Sequence, residues 1–87
     1  MKVLTQIYAS ERKPGYYLYV PKDADLQALP EALMKPLGTL RKSLLLMVTP
    51  SQKLANADPV KVLESLTERG FYLQLPPKDD PLEALYS

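Results

Sequence analysis

The sequence predicts an α+β domain with a single four-stranded sheet, largely antiparallel or mixed, packed with short helices in the order ββααβαβ. Two observations carry this prediction. Four segments have the apolar alternation or the aromatic and β-branched content of strands, and one segment carries the start and stop signals of a helix. The 87 residues can bury one core, so we expect a single domain over residues 1–87. Its core is predicted over about residues 2–77, and a tail with a short helical turn over residues 78–87.

The first two strands are predicted to form an antiparallel hairpin. Residues 2–9 (KVLTQIYA) alternate between two faces, as strand residues do. Residues 16–20 (YYLYV) are dense in the aromatic and β-branched side chains that strands favour. Pro14 and Gly15 give a strong turn signal between the two segments. A short connection of this kind favours pairing of the two strands.

The middle of the chain predicts two short helical pieces followed by a strand. Residues 26–29 form one helical turn, and a second piece opens at Pro30 and ends at Pro36, because the residue before a proline avoids the α region. Residues 44–48 (LLLMV) are an unbroken apolar run. Such a run predicts a strand that is buried on both faces, and therefore lies in the interior of the sheet.

The clearest element of the sequence is a helix between Asp58 and Gly70. Asp58 is suited to accept hydrogen bonds from the first free N–H groups, and Pro59 suits the first helical position. Gly70 is suited to the left-handed conformation that ends many helices. Residues 71–75 then alternate as a strand, which Pro76 and Pro77 terminate. The predicted buried stripe of the helix consists of Val62, Leu63 and Leu66.

Composition excludes several kinds of site. The chain has no cysteine and no histidine, so it has no disulfide, no thiolate metal site and no imidazole base. No apolar stretch approaches the length of a membrane span, so we expect a cytoplasmic location without membrane contact. We expect no cofactor and no metal.

The charge is unevenly distributed along the chain. Residues 1–53 carry eight basic and four acidic residues (+4), and residues 54–87 carry three basic and six acidic residues (−3). This uneven charge can steer a charged partner, or be scattered over a solvated surface.

The strand assignments place tyrosines and amides where they can form a surface. If the relevant side chains share one face, the sheet presents an aromatic and amide surface of the kind that stacks RNA bases. The alternative is that the tyrosines make cross-strand pairs or pack beneath a helix. The residues of this predicted tyrosine face are Gln6, Tyr8, Tyr17, Tyr19, Tyr72 and Gln74.

Charged clusters give weaker signals. Arg41 and Lys42, with Lys35 before them and Lys53 after, can bind a phosphate or an acidic partner, or can be solvated loop residues. Asp79, Asp80 and Glu83 form an acidic cluster whose spacing matches no calcium loop. No serine has a histidine to activate it, so no catalytic residue is predicted.

Four motifs resemble the bacterial YcgL-like domain family. They are residues 14–20 (PGYYLYV), 29–38 (LPEALMKPLG), 54–58 (LANAD) and 70–77 (GFYLQLPP). The resemblance implies the order ββααβαβ and a domain without established biochemical activity, so it supplies no catalytic residues. It also implies an RNA-related context, since family genes are sometimes found near a ribonuclease D gene. Leu37-Gly38 departs from the expected Phe-Gly, a change that concerns packing more than function.

Three functional hypotheses follow. The first is a non-catalytic interaction module that binds another protein through part of its sheet or through a cleft beside Asp58. The second is an RNA-associated accessory domain that uses the tyrosine face and nearby basic residues. The third is a small-molecule binder or enzyme that uses Asp58 with Lys53 or Tyr72.

Overall fold

The computed structural model describes residues 1–54 and 57–76 of the chain. Within these residues, one sheet has the strand order β3-β1-β2-β4, and every neighbouring pair of strands is antiparallel. The predicted α+β class with a single four-stranded sheet is therefore confirmed. The elements along the chain are β1 (Val3–Ser10), β2 (Tyr17–Pro21), a 3-10 helix (Leu26–Ala28), α1 (Glu31–Leu37), β3 (Leu40–Val48), α2 (Pro59–Glu68) and β4 (Tyr72–Gln74).

The β1–β2 hairpin forms as predicted, with Ala9 opposite Tyr17 and Tyr8 opposite Leu18. On the other side of β1, strand β3 pairs with a shift in register between Ile7 and Tyr8. The shift leaves Ser43 as the extra residue of a β-bulge, since Ile7 is opposite Leu44 and Tyr8 is opposite Lys42.

Helix α2 covers one side of the sheet, called here the first face. Asp58 is its N-cap: the Oδ1 atom accepts a hydrogen bond from the backbone N–H of Val60 at 3.0 Å. Pro59 is the first helical residue, and Gly70 follows the helix with φ +84°. The predicted apolar stripe of α2 is buried, and each of its side chains contributes roughly 1.5–3 kcal/mol before entropic costs. The cluster that it forms with the sheet comprises Ile7, Tyr19, Val48, Val62, Leu63 and Leu66.

The 3-10 helix and α1 cover the opposite side of the sheet, called here the second face. Their core is a cluster built on Leu18, Val20 and Leu37. The prediction that Pro36 ends the helical piece is wrong, because α1 continues to Leu37. Burial of Leu37, which is 2% exposed, offsets the hydrogen bond that the proline ring cannot donate. The departure from the expected Phe-Gly thus lies within this core.

The prediction that β3 lies in the interior of the sheet is also wrong. It pairs only with β1 and forms one edge, because β2 occupies the other side of β1 and β4 adds beyond β2. An unbroken apolar run is typical of a strand buried on both faces, but here much of the run is exposed. The predicted tail over residues 78–87, including the acidic cluster at Asp79, Asp80 and Glu83, lies outside the described residues.

Candidate interaction surfaces

The predicted tyrosine face is divided between the two sides of the sheet. The register of β2 and β4 pairs Tyr17 with Gln74 and Tyr19 with Tyr72, so these four side chains share the first face. Tyr8 is opposite Leu18 and packs against the second-face core. Gln6, two residues earlier in the same strand, also belongs to the second face. The condition that all six side chains share one face is therefore not met, because directly opposed residues in an antiparallel pair project to the same side.

Tyr19 is a core residue, with 5% of its surface exposed. Its hydroxyl donates a hydrogen bond to Oε1 of Gln74, and its ring meets that of Tyr72 edge to face at 5.6 Å between centroids. Burial, and secondarily the neighbouring hydroxyls of Tyr72 and Tyr17, raise the pKa of Tyr19 above its ordinary value. The hydroxyl therefore stays protonated at neutral pH and serves as a fixed donor.

An open groove with a volume of about 460 Å³ lies on the first face beside the chain that leads into α2. We call it the tyrosine groove. Its floor is largely apolar, and among the described residues Lys53 is the one charged residue that lines it. Among the predicted site residues, the structure thus brings Tyr17, Tyr19, Gln74 and Lys53 together. The described residues that line it are Ile7, Tyr17, Tyr19, Ser43, Leu44, Leu46, Gln52, Lys53, Leu54 and Gln74.

A second depression, of about 420 Å³, meets the tyrosine groove at Tyr17. Arg41 lines it, and the register places Arg41 opposite Ala9, which is itself opposite Tyr17. With neighbouring strands about 4.8 Å apart, the backbones at Arg41 and Tyr17 are roughly 10 Å apart. Ala9 lies between them, and its small side chain leaves room for the depression. Glu11, just beyond the end of β1, also lines this depression.

The other candidate surface is the outer part of β3, residues 44–48, called here the β3 edge segment. Leu44, Leu45 and Met47 are 52%, 47% and 41% exposed. Sequence reasoning missed these residues as interaction candidates, because an apolar run was interpreted as buried. The five residues of the run include no charged residue. Buried strands have the same pattern, so the sequence does not distinguish an exposed apolar edge strand from a buried one.

The remaining predicted residues lie apart from these surfaces. Lys42 is opposite Tyr8 and therefore belongs to the second face, whereas Arg41 belongs to the first. Asp58 is occupied as a helix cap and lines neither the tyrosine groove, nor the second depression, nor a third depression beside the 3-10 helix. The hypothesis that Asp58 acts with Lys53 or Tyr72 in one pocket therefore has no support from the geometry.

Neither a metal cluster nor a membrane span is found in the part of the chain that the structure describes. No group of three or more Asp and Glu residues there could hold a metal ion. No helix there is long and apolar enough to cross a bilayer.

These features define a small α+β sheet domain with a partly uncovered first face and an apolar edge strand. The chain belongs to the YcgL domain family, whose model matches residues 5–77. A YcgL domain-containing protein of Cellvibrio japonicus is 48% identical over 91% of this chain and 81% of its own length. A second, from Saccharophagus degradans, is 49% identical over 86% of this chain and 82% of its own. A third, from Proteus mirabilis, is 41% identical over 98% and 84%.

Proposed function

We propose that this protein is a non-catalytic interaction domain, and that its partner is an extended segment of another protein. The segment adds to the sheet as an antiparallel strand along the outer edge of β3. Main-chain hydrogen bonds supply affinity in this mode of recognition, and alternate side chains of the added strand supply specificity.

The observation that carries the proposal is the uneven protection of β3. Edge strands are usually protected by charged side chains, by bulges or by being short. In β3, Arg41, Lys42 and the bulge at Ser43 all lie in the first half of the strand. The β3 edge segment has none of these features. The opposite edge of the sheet, β4, is only three residues long and is protected by its length.

The side chains of the β3 edge segment also favour a protein partner. Leu45 and Met47 project to the second face, since they are opposite Gln6 and Leu4. Both are more than 40% exposed although they are apolar. An added strand would cover them with its own alternate side chains, so backbone pairing and apolar burial would act together.

A protein partner has more support than the RNA hypothesis. That hypothesis required tyrosines on one exposed sheet face, but Tyr8 belongs to the second face and Tyr19 is buried under α2. Stacking on bases needs accessible rings. A protein partner requires only the exposed edge and its apolar side chains.

The test compares the natural chain with a double variant, Leu45→Lys with Met47→Lys. The natural chain and the double variant are each immobilised on a resin and incubated with cell extract, with and without ribonuclease. The proteins retained on the resin are then identified by mass spectrometry. Binding of each purified candidate is then measured by calorimetry. We expect a ribonuclease-resistant partner whose affinity falls at least about tenfold in the double variant, since lysines at an edge oppose strand addition.

The control is Leu75→Lys, which places one lysine on an exposed leucine next to the opposite edge, against two in the double variant. It should bind like the natural chain. Equal losses in both variants, or a partner that disappears with ribonuclease, would contradict the proposal. A concentration-dependent dimer of the natural chain that the double variant abolishes would assign the edge to a second copy instead.

A further inference from the structure

We propose that the tyrosine groove is a second binding site, and that its ligand is an extended protein segment that presents carboxylate and apolar side chains on the same side. This inference is independent of the proposed strand addition. The groove opens on the first face, whereas the test of strand addition alters Leu45 and Met47 on the second.

The apolar part of the groove sets the first requirement on the ligand. Leu44 and Leu46 from β3, and Leu54 from the connection before α2, line it together with Ile7. Leu44 is half exposed, so apolar surface is available to a ligand. Covering it with one or two apolar side chains is favourable by roughly 25 cal/mol per Å².

The polar part of the groove sets the second requirement, because its strongest groups are hydrogen-bond donors. Lys53 lines the groove, and Arg41 lies at the adjoining depression beyond Ala9. The Oε1 atom of Gln74 already accepts a hydrogen bond from Tyr19. The Nε2 atom of Gln74 is therefore the part of that amide left to meet a ligand, and it can only donate.

Charge complementarity therefore selects carboxylates. Two cations border the combined depression, and Glu11 at its far end is the one acid among the described lining residues. A carboxylate between Lys53 and Gln74 would accept charge-assisted hydrogen bonds, which are stronger than neutral ones. A second carboxylate near Arg41 would be spaced from the first by the width of β1 and β2. An extended segment that presents acidic and apolar side chains on the same side, at every second position, meets both requirements at once.

The test is a fluorescence-anisotropy titration of the full chain. The probe is a short labelled peptide in which leucine and glutamate take turns at every second position, with serine between them, so that both face the same side. Control peptides carry lysine in place of the acids, or glycine in place of leucine. We expect the acidic–leucine peptide alone to bind, with an affinity that falls as salt is raised.

Charge reversals locate the binding site. Lys53→Glu and Arg41→Glu should each weaken binding about fivefold, the size of one partly exposed ion pair. Lys22→Glu, at an exposed lysine that lines none of the described cavities, should leave the affinity unchanged. Leu45→Lys with Met47→Lys should also leave it unchanged, which separates the groove from the second-face side chains of the β3 edge segment.

Several results would overturn the inference. One is absence of binding by a folded chain, and another is an equal loss in Lys22→Glu, which would mean that only overall charge matters. Stronger binding of a labelled single-stranded RNA than of the peptide would assign the cations to phosphate. Binding that appears only after Asp79→Asn, Asp80→Asn and Glu83→Gln would assign the groove to the chain's own acids.

Discussion

The hydroxyl of Tyr19 donates a hydrogen bond to Oε1 of Gln74 and so joins β2 to β4 on the first face. The two residues are diagonal neighbours, because Tyr19 is directly opposite Tyr72 and Gln74 is opposite Tyr17. Both are buried. This contact fixes the short strand β4 from the side of the groove and orients the amide that a ligand would meet.

Tyr19→Phe should therefore destabilise the protein by about 1–2 kcal/mol, since Oε1 of a buried Gln74 loses its donor. The measurement is the free energy of unfolding from urea denaturation. Tyr72→Phe is the matched control, because it removes a hydroxyl from the neighbouring ring and keeps the ring contact. A loss in Tyr72→Phe as large as that in Tyr19→Phe would show that the hydrogen bond is not the cause.

The same tyrosine predicts how stability changes at high pH. Its folded-state pKa is raised above the ordinary value of 10.0, so folding favours the protonated hydroxyl. This contribution is complete below pH 10 and is lost as pH rises through the folded-state pKa. The free energy of unfolding should fall as pH rises above about 10, and less steeply in Tyr19→Phe. Identical slopes in the two proteins would contradict this assignment.

Asp58→Ala should cost about 1 kcal/mol, because Val60 N–H loses its side-chain acceptor at the start of α2. Thermal and urea denaturation both measure this change. Asp23→Ala removes the same charge from an exposed loop position outside the helices and strands, and should change stability by less than about 0.5 kcal/mol. An unchanged midpoint for Asp58→Ala would argue against the cap.

Two glycine variants separate backbone strain from steric overlap. Gly70 and Gly15 both have positive φ, +84° and +88°. A methyl group at Gly70 meets no atom within 4 Å, so Gly70→Ala should cost about 1 kcal/mol from backbone strain alone. At Gly15 the added carbon would lie 2.8 Å from Cβ of Pro76, so Gly15→Ala should cost more. Urea denaturation that ranks Gly70→Ala as the more damaging variant would contradict this reasoning.

Local signals in the sequence were sufficient for much of the fold. Asp58, Pro59 and Gly70 act within one or two residues of their own positions, and α2 lies where they indicate. The hairpin likewise follows from the turn at Pro14 and Gly15. Such features depend on backbone conformation and short-range hydrogen bonds, which can be predicted from the residue types at neighbouring positions.

The face of each tyrosine depended on register, which local signals leave open. In the observed hairpin Tyr8 is opposite Leu18, and a slip of one residue would have placed it opposite Tyr17 or Tyr19. Strand β3 lies at an edge because it pairs with the side of β1 that β2 leaves open, and no further strand of the described residues pairs with β3. Tertiary packing decides which strand pairs there. The grooves depend on finer details still, such as the small size of Ala9 and the bulge at Ser43.

The most direct test of the central claim, strand addition at β3, is amide hydrogen exchange of the full chain followed by NMR. It is measured for the free protein and for its complex with the purified partner. Strand addition predicts that alternate backbone amides of the β3 edge segment exchange quickly in the free protein and become protected in the complex. Protection confined to α1 or α2, with these amides unchanged, would contradict strand addition at β3.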